Sequence, residues 1–163
     1  MLTIKRTAYA ALLAVLVAAG VLAATGEAST HRTATLAYIV RTAGTAYLTK
    51  TGLSTNFPGT LQTGDQIFAR DALFQGSTKI GYDNETCTVT FDNNDLCRVA
   101  SVFTGKGETE ATWLWINRNS SQYGPSHFSG IIDGGTGTFE HANGQFDATA
   151  LPNGTLRITA RLG

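Results

Sequence analysis

Residues 64–81 read GDQIFARDALFQGSTKIG. From Ile67 the side chains alternate with a period of two, placing Ile67, Ala69 and Asp71 on one face and Phe68, Arg70 and Ala72 on the other. Gly76-Ser77 then supplies a turn, and a second extended run begins at Thr78. An extended run, a Gly-Ser turn and another extended run are the signature of a β-hairpin. The same reading carried along the chain predicts strands at 35–41, 65–74, 78–83, 86–91, 97–104, 109–117, 126–132, 137–148 and 155–161. Turn residues separate them at Asp92-Asn93-Asn94-Asp95, Gly105-Lys106-Gly107, Gly134-Gly135 and Pro152-Asn153-Gly154. After residue 30 no stretch sustains a helical period over three turns. About eight or nine antiparallel strands in about 135 residues favour an all-β fold, a small closed antiparallel eight-stranded barrel. Such a barrel holds packed side chains or one small ligand. Residues 49–64, rich in Thr, Gly and Asn, read as a long loop over one end.

The chain has 163 residues, enough for one core. Twelve basic residues balance twelve acidic ones, so no basic face for nucleic acid is expected. The N-terminal segment has the form of an address. Lys5 and Arg6 precede an uncharged run over residues 8–24, filled by Leu12, Leu13, Val15, Leu16, Val17, Val21 and Leu22. Gly26-Glu27-Ala28 then has the small-x-small shape of a signal-peptidase site. The expected organisation is a signal peptide over 1–28 and a single secreted barrel domain over 29–163, with no membrane attachment after cleavage. An uncleaved anchor helix is the competing reading, although the apolar run is short of the about 20 residues that usually span a bilayer.

Cysteine usage fits export. Cys87 and Cys97 lie ten apart in CTVTFDNNDLC. Two strands around the DNND turn pair them across a hairpin, provided that the loop is odd or a bulge corrects the register. A structural disulfide is expected. Two thiols without a histidine cluster make a poor zinc site, so no metal is assigned. Gly134–Gly137 lacks the Lys-Ser/Thr and the helix of a phosphate loop, and no cofactor is implied.

The run at 64–81 resembles the second-strand region of plant allene oxide cyclases, which has a Gly-Asp pair, a hydrophobic strand and a Gly-Ser turn. GIIDGGTGTFEHANGQF at 130–146 resembles the glycine-rich segment shared by allene oxide cyclases and dirigent proteins. Both families are antiparallel eight-stranded barrels with an axial pocket, and bacterial polyketide cyclases, including Diels–Alder enzymes, use the same barrel. The resemblance implies that Asp71 occupies the position of a pocket Asn in the cyclases and of a proton-transferring Asp in dirigent proteins. The cyclases' first-strand carboxylate has no counterpart in TLAYIVRT (35–42), and Tyr82 stands where dirigent proteins have Arg.

From the residues themselves, Asp71 on an inward face would be a carboxyl in an apolar tube, with a pKa raised toward general acid–base use. The opposing reading caps a turn with Asp71 or pairs it outside with Arg70. Trp113, Trp115 and Asn117 share one face of ATWLWINRN and, if inward, build an aromatic pocket wall; otherwise Leu114 and Ile116 fill the core. Tyr38 and Tyr82 are candidate phenol donors. The candidate site is therefore Asp71 and Tyr82 as catalytic groups, with Tyr38, Trp113, Trp115 and Asn117 lining the pocket. The expected function is a cofactor-independent cyclase or isomerase of specialised metabolism, acting on a hydrophobic small molecule such as a polyketide, oxidised lipid or phenolic. A non-catalytic binding or structural barrel, and a dirigent-like protein that steers phenolic coupling, are the alternatives. A homo-oligomer stays open.

Overall fold

The computed structural model describes residues 34–91, 94–116 and 126–163. The expected signal peptide, Asn117 and part of the DNND turn lie outside them. Nine strands follow in order: β1 (Ala34–Thr49), β2 (Gly52–Ser54), β3 (Gln66–Gln75), β4 (Thr78–Val89), β5 (Asp95–Phe103), β6 (Gly107–Trp115), β7 (His127–Gly135), β8 (Gly144–Ala150) and β9 (Leu156–Leu162). From β3 to β9 each strand pairs antiparallel with the next, and β1 pairs with both β3 and β9. This closes an eight-stranded antiparallel barrel, with β2 as an extra strand on β1.

Closure depends on β1. Its first half, from Ala34 to Val40, pairs with β9, and its second half pairs with β3 across a register shift between Thr42 and Gly44. The TAGT stretch (42–45), where the expected first strand stopped, is thus a bulge inside one long strand. A bulge bends its strand and increases local twist, which lets a single strand serve two neighbours around a corner. Three other boundaries also differ from expectation. The strands expected at 78–83 and 86–91 are one strand, because Asn84 and Glu85 stay in the ladder opposite Arg70 and Ala69. The strand expected from 137 begins at Gly144, after a short 3-10 turn at Gly137–Phe139. The 49–64 loop contains β2.

The core is the barrel interior. Val40, Leu73, Cys97, Phe103, Trp113, Ile132, Phe146, Ala148, Ile158 and Ala160 are buried and form one cluster. Leu96, Leu114 and Ile131 point outward and stay exposed. Of the two readings left open for β6, the structure has Trp113 inside and Leu114 outside. The glycine-rich segment serves packing. A Cβ at Gly130 would collide with the Phe146 ring and the Thr112 carbonyl oxygen, so the inner ring approaches the β7 backbone only because glycine is there. The Cys87–Cys97 disulfide is formed between directly opposed residues of β4 and β5, with Cα atoms 4.0 Å apart. The odd loop over residues 90–94 supplies the required register.

Candidate active site in the barrel interior

An internal cavity of about 50 Å³ lies within the barrel. Its walls differ in character. Leu36 and Val40 of β1, Phe128 and Ile132 of β7, Phe146 of β8 and the inward residues of β9 form an apolar side. Facing them, β3 to β6 contribute Asp71, Asp83, Glu85, Ser101 and Thr109.

Strand register creates this polar side. Thr42 stands opposite Asp71, Asp71 opposite Asp83, Asp83 opposite Ser101, and Ser101 opposite Thr109. Directly opposed residues share a face, so one inward carboxyl brings its cross-strand partner inward with it. The result is a belt of polar side chains at one level of the barrel. Asp71 and Asp83 are 7% and 5% exposed, and one oxygen of each, Oδ1, has no protein hydrogen-bond partner. Two carboxyls in this setting cannot both ionise cheaply, because each loses water and each repels the other. Burial is the main force raising Asp71, opposed by hydrogen bonds from the Thr42 hydroxyl, Asp83 and the Ala43 amide. Burial raises Asp83 to about 8, and the neighbouring charges of Asp71 and Glu85 add to the effect. The pair therefore titrates as a unit that holds a proton near neutral pH.

Glu85 lies two residues along β4 and faces the same cavity. Its Oε1 accepts a hydrogen bond of 2.8 Å from Trp113 Nε1. Burial pushes Glu85 up to about 7, the Trp113 bond pulls it down, and the charge of Asp71 pushes it up again. Tyr38, across the barrel on β1, shares a hydrogen bond with Ser101. Burial holds its phenol at about 12, so it stays protonated. Trp113 stacks on Phe128 with ring centres 4.1 Å apart and extends the aromatic wall.

Of the residues singled out in the sequence, Asp71, Tyr38 and Trp113 line this cavity. Trp115 stacks behind Trp113, with ring centres 6.5 Å apart, and packs against the core without lining the cavity. Tyr82 is a correction. Asp83 points inward, so its chain neighbour Tyr82 points outward, and the Arg70 guanidinium lies 4.9 Å above its ring. It is no donor to the cavity. Asn117 lies outside the described residues.

The sequence reading missed Asp83 and Glu85. It ended one strand at Asp83 and began the next at Thr86, leaving Asn84 and Glu85 as a break. Counting back in twos from Cys87, whose disulfide marks the inner face, would have placed both carboxyls inside.

Glu85, Cys87 and Cys97 bring three donor atoms within 4.8 Å of one another, a convergence that Asp71, Asp83 and Glu85 do not reach. The two sulfurs are spent on the disulfide and offer no thiolate to a metal.

The chain matches no family model and no curated protein. Solved structures do share its barrel. A pyocyanin demethylase superimposes with a TM-score of 0.63 at 19% identity, over 80% of this chain and 100% of that one. A pterocarpan synthase dirigent protein gives 0.55 at 14% identity, over 80% of this chain and 87% of that one. The Diels–Alderase AbmU from Streptomyces koyangensis gives 0.56 at 14% identity, over 80% of this chain and 63% of that one. The fold is thus the barrel of dirigent-like proteins and secondary-metabolite cyclases, as the 64–81 and 130–146 segments implied. At these identities the likeness fixes the fold; chemistry has to be argued from the site itself.

Proposed function

We propose that the protein is a cofactor-independent isomerase or cyclase that moves a proton on a small, largely apolar molecule held in the barrel. The observation that carries this reading is the cross-strand pair Asp71–Asp83, buried and facing the cavity. The ionised member takes a proton from an activated carbon or hydroxyl of the substrate. The protonated member returns one to the other end of the rearranging system, so the substrate isomerises or closes a ring with no net change in protons. Protein dipoles and the apolar wall replace water around the reacting atoms. Tyr38 and Trp113 add donors whose protons stay in place across the physiological range. That dirigent proteins and cyclases share the barrel supports a small-molecule role of this kind.

The test has two parts. Carbon-13 carboxyl NMR should show Asp83 titrating near pH 8. Exchange of the α-hydrogens of cyclopentanone in D2O, a probe for proton abstraction, should run faster with the wild-type protein than with the Asp71→Asn/Asp83→Asn variant. Ordinary carboxylate midpoints, or equal exchange rates, would reject the reading.

One observation favours a second reading, a binding barrel without chemistry. The cavity of about 50 Å³ is well below the ~300–1,000 Å³ typical of small-molecule sites. Ligand binding with no proton exchange would select it.

Export belongs to the same proposal. The Lys5-Arg6 start, the uncharged run over 8–24 and a disulfide that needs an oxidising compartment all support a secreted protein. N-terminal sequencing of the exported product should begin at or within a few residues of Ser29; a retained Met1 would overturn it.

A further inference from the structure

The charges around the cavity are one-sided. Asp71 on β3 and Asp83 and Glu85 on β4 face it, with the phenol of Tyr38 from β1. The cavity-facing residues of β5 to β9 carry no titratable group, and among the described residues no lysine, arginine or histidine lines the space. The arginines that flank these strands lie outside: Arg70 over Tyr82 and Arg41 over Phe74. Three acids therefore meet one interior with no resident cation. Buried carboxylates are normally paired with a cation, and here only hydrogen bonds, among them those from Thr42, Ala43 and Trp113, offset their charge, a deficit that a bound cation removes.

Two features make the space more than an acidic cluster. The Oδ1 atoms of Asp71 and Asp83, on side chains more than nine-tenths buried, have no protein partner. The rest of the lining is hydrocarbon and aromatic, with Leu36, Val40 and Ile132 beside Phe128, which stacks on Trp113 and meets Phe146 edge-on. Such a lining suits a cation wrapped in methyl or methylene groups, whose carbon meets carbon while its charge meets the acids. An inorganic ion would gain from the acids and lose against the hydrocarbon side. A neutral apolar molecule would do the reverse.

We infer that the cavity selects a small organic cation, a quaternary or protonated amine with its charge toward the Asp71–Asp83 pair and its carbon against Trp113 and Phe128. This names the substrate class of the proton-transfer site and rests on that reading of the pair. Charge on the ligand then stabilises the ionised member of the pair, the form that takes a proton from the substrate, while the other member keeps its own.

The probes are tetramethylammonium, whose charge does not change with pH, and tert-butanol, a neutral molecule of closely similar size. Both are titrated into the protein at constant ionic strength, and the indole N–H signal of Trp113 is followed by NMR. At pH 8.5 tetramethylammonium should bind at least about tenfold more tightly than tert-butanol, a preference of about 1.4 kcal/mol. The ratio should fall toward one at pH 5, where Asp83 and Glu85 hold their protons. Asp83→Asn should weaken tetramethylammonium at pH 8.5 by about fivefold or more and leave tert-butanol within about twofold. Equal affinities, a ratio indifferent to pH, or no binding of tetramethylammonium would each overturn the inference. The wild-type pH series decides the matter even if the variant does not fold. Should the carboxyls titrate high without preference for the cation, this inference falls and proton transfer stands. A cation preference with ordinary carboxyl midpoints would remove proton transfer instead.

Discussion

Asp71 and Asp83 stand directly opposite each other on β3 and β4, both facing the barrel interior. Neighbouring strands bring opposed side chains to about 4.5–5.5 Å between Cβ atoms. Two like charges at that spacing, away from water, cannot both form cheaply, and Asp71 is the chief charge acting on Asp83. The site's chemistry follows from that register and would be lost by a slip of either strand by one residue, which would turn its carboxyl to solvent.

Replacing one member should release the other. Burial is the largest cause of the raised Asp83 pKa and the charge of Asp71 the next. In Asp71→Asn the charge is gone and the burial remains. Asp83 should then titrate below about 8 yet above an ordinary aspartate. Carboxyl NMR of the variant reads this directly. An unmoved midpoint would mean that the two groups do not interact.

Stability should depend on pH in the direction opposite to that of a salt-bridged acid. A carboxyl with a raised pKa keeps its proton in the folded state after the unfolded chain has lost its own. Stability from Asp83 and Glu85 is therefore fully present below the ordinary carboxylate range and declines as pH rises toward about 8 and about 7. The slope is roughly 1.4 kcal/mol per pH unit for each such group within its window. Thermal melts should show a higher Tm at pH 5 than at pH 8.5. Asp83→Asn should raise Tm at pH 8.5, change it little at pH 5, and flatten the profile. A Tm that climbs with pH would contradict the buried pair.

Much of this architecture could be read from the chain, and the failures have one physical origin. Alternation at 64–81, the Gly-Ser turn and the cysteine spacing led to the barrel, the hairpin and the disulfide, whereas the face on which Asp71 falls stayed open until the register was known. Polar residues inside strands misled. Ala43-Gly44 and Asn84-Glu85 have turn composition, and local propensity at both positions is overridden by the ladder on either side. Tyr82 was drawn into the site by its chemistry alone, although parity with Asp83 turns it outward. The belt through Ser101 and Thr109 depends on register across four strands, which no local window contains.

Trp113→Phe should isolate the role of the indole. A smaller aromatic ring is kept against Phe128, and the 2.8 Å bond to Glu85 Oε1 is lost. That bond is what lowers the Glu85 pKa against burial, so the variant should titrate Glu85 above about 7. Lost hydrogen bonds to a charged acceptor cost about 1.5–3 kcal/mol. Below pH 6 Glu85 is protonated in both proteins, and the stability difference should narrow there. A Glu85 midpoint that falls in Trp113→Phe would show that the indole donates elsewhere in solution.

The disulfide should matter to the barrel far more than to the carboxyl pair. Cys87 and Cys97 tie β4 to β5 at a directly opposed position and close a short loop. By the chain-entropy estimate that constraint is worth about 2–3 kcal/mol, which corresponds to a Tm loss of roughly 10 °C in a domain of this size. Cys87→Ser/Cys97→Ser should melt lower by about this amount, and dithiothreitol should bring the wild type to the same level. The ladder also holds β4 on β3, where Asp71 and Asp83 meet, and that pairing does not involve sulfur. The raised Asp83 midpoint should therefore survive in the serine variant at temperatures where it is folded. If the midpoint collapses on reduction while the barrel persists, the disulfide positions the acid pair as well as stapling the hairpin.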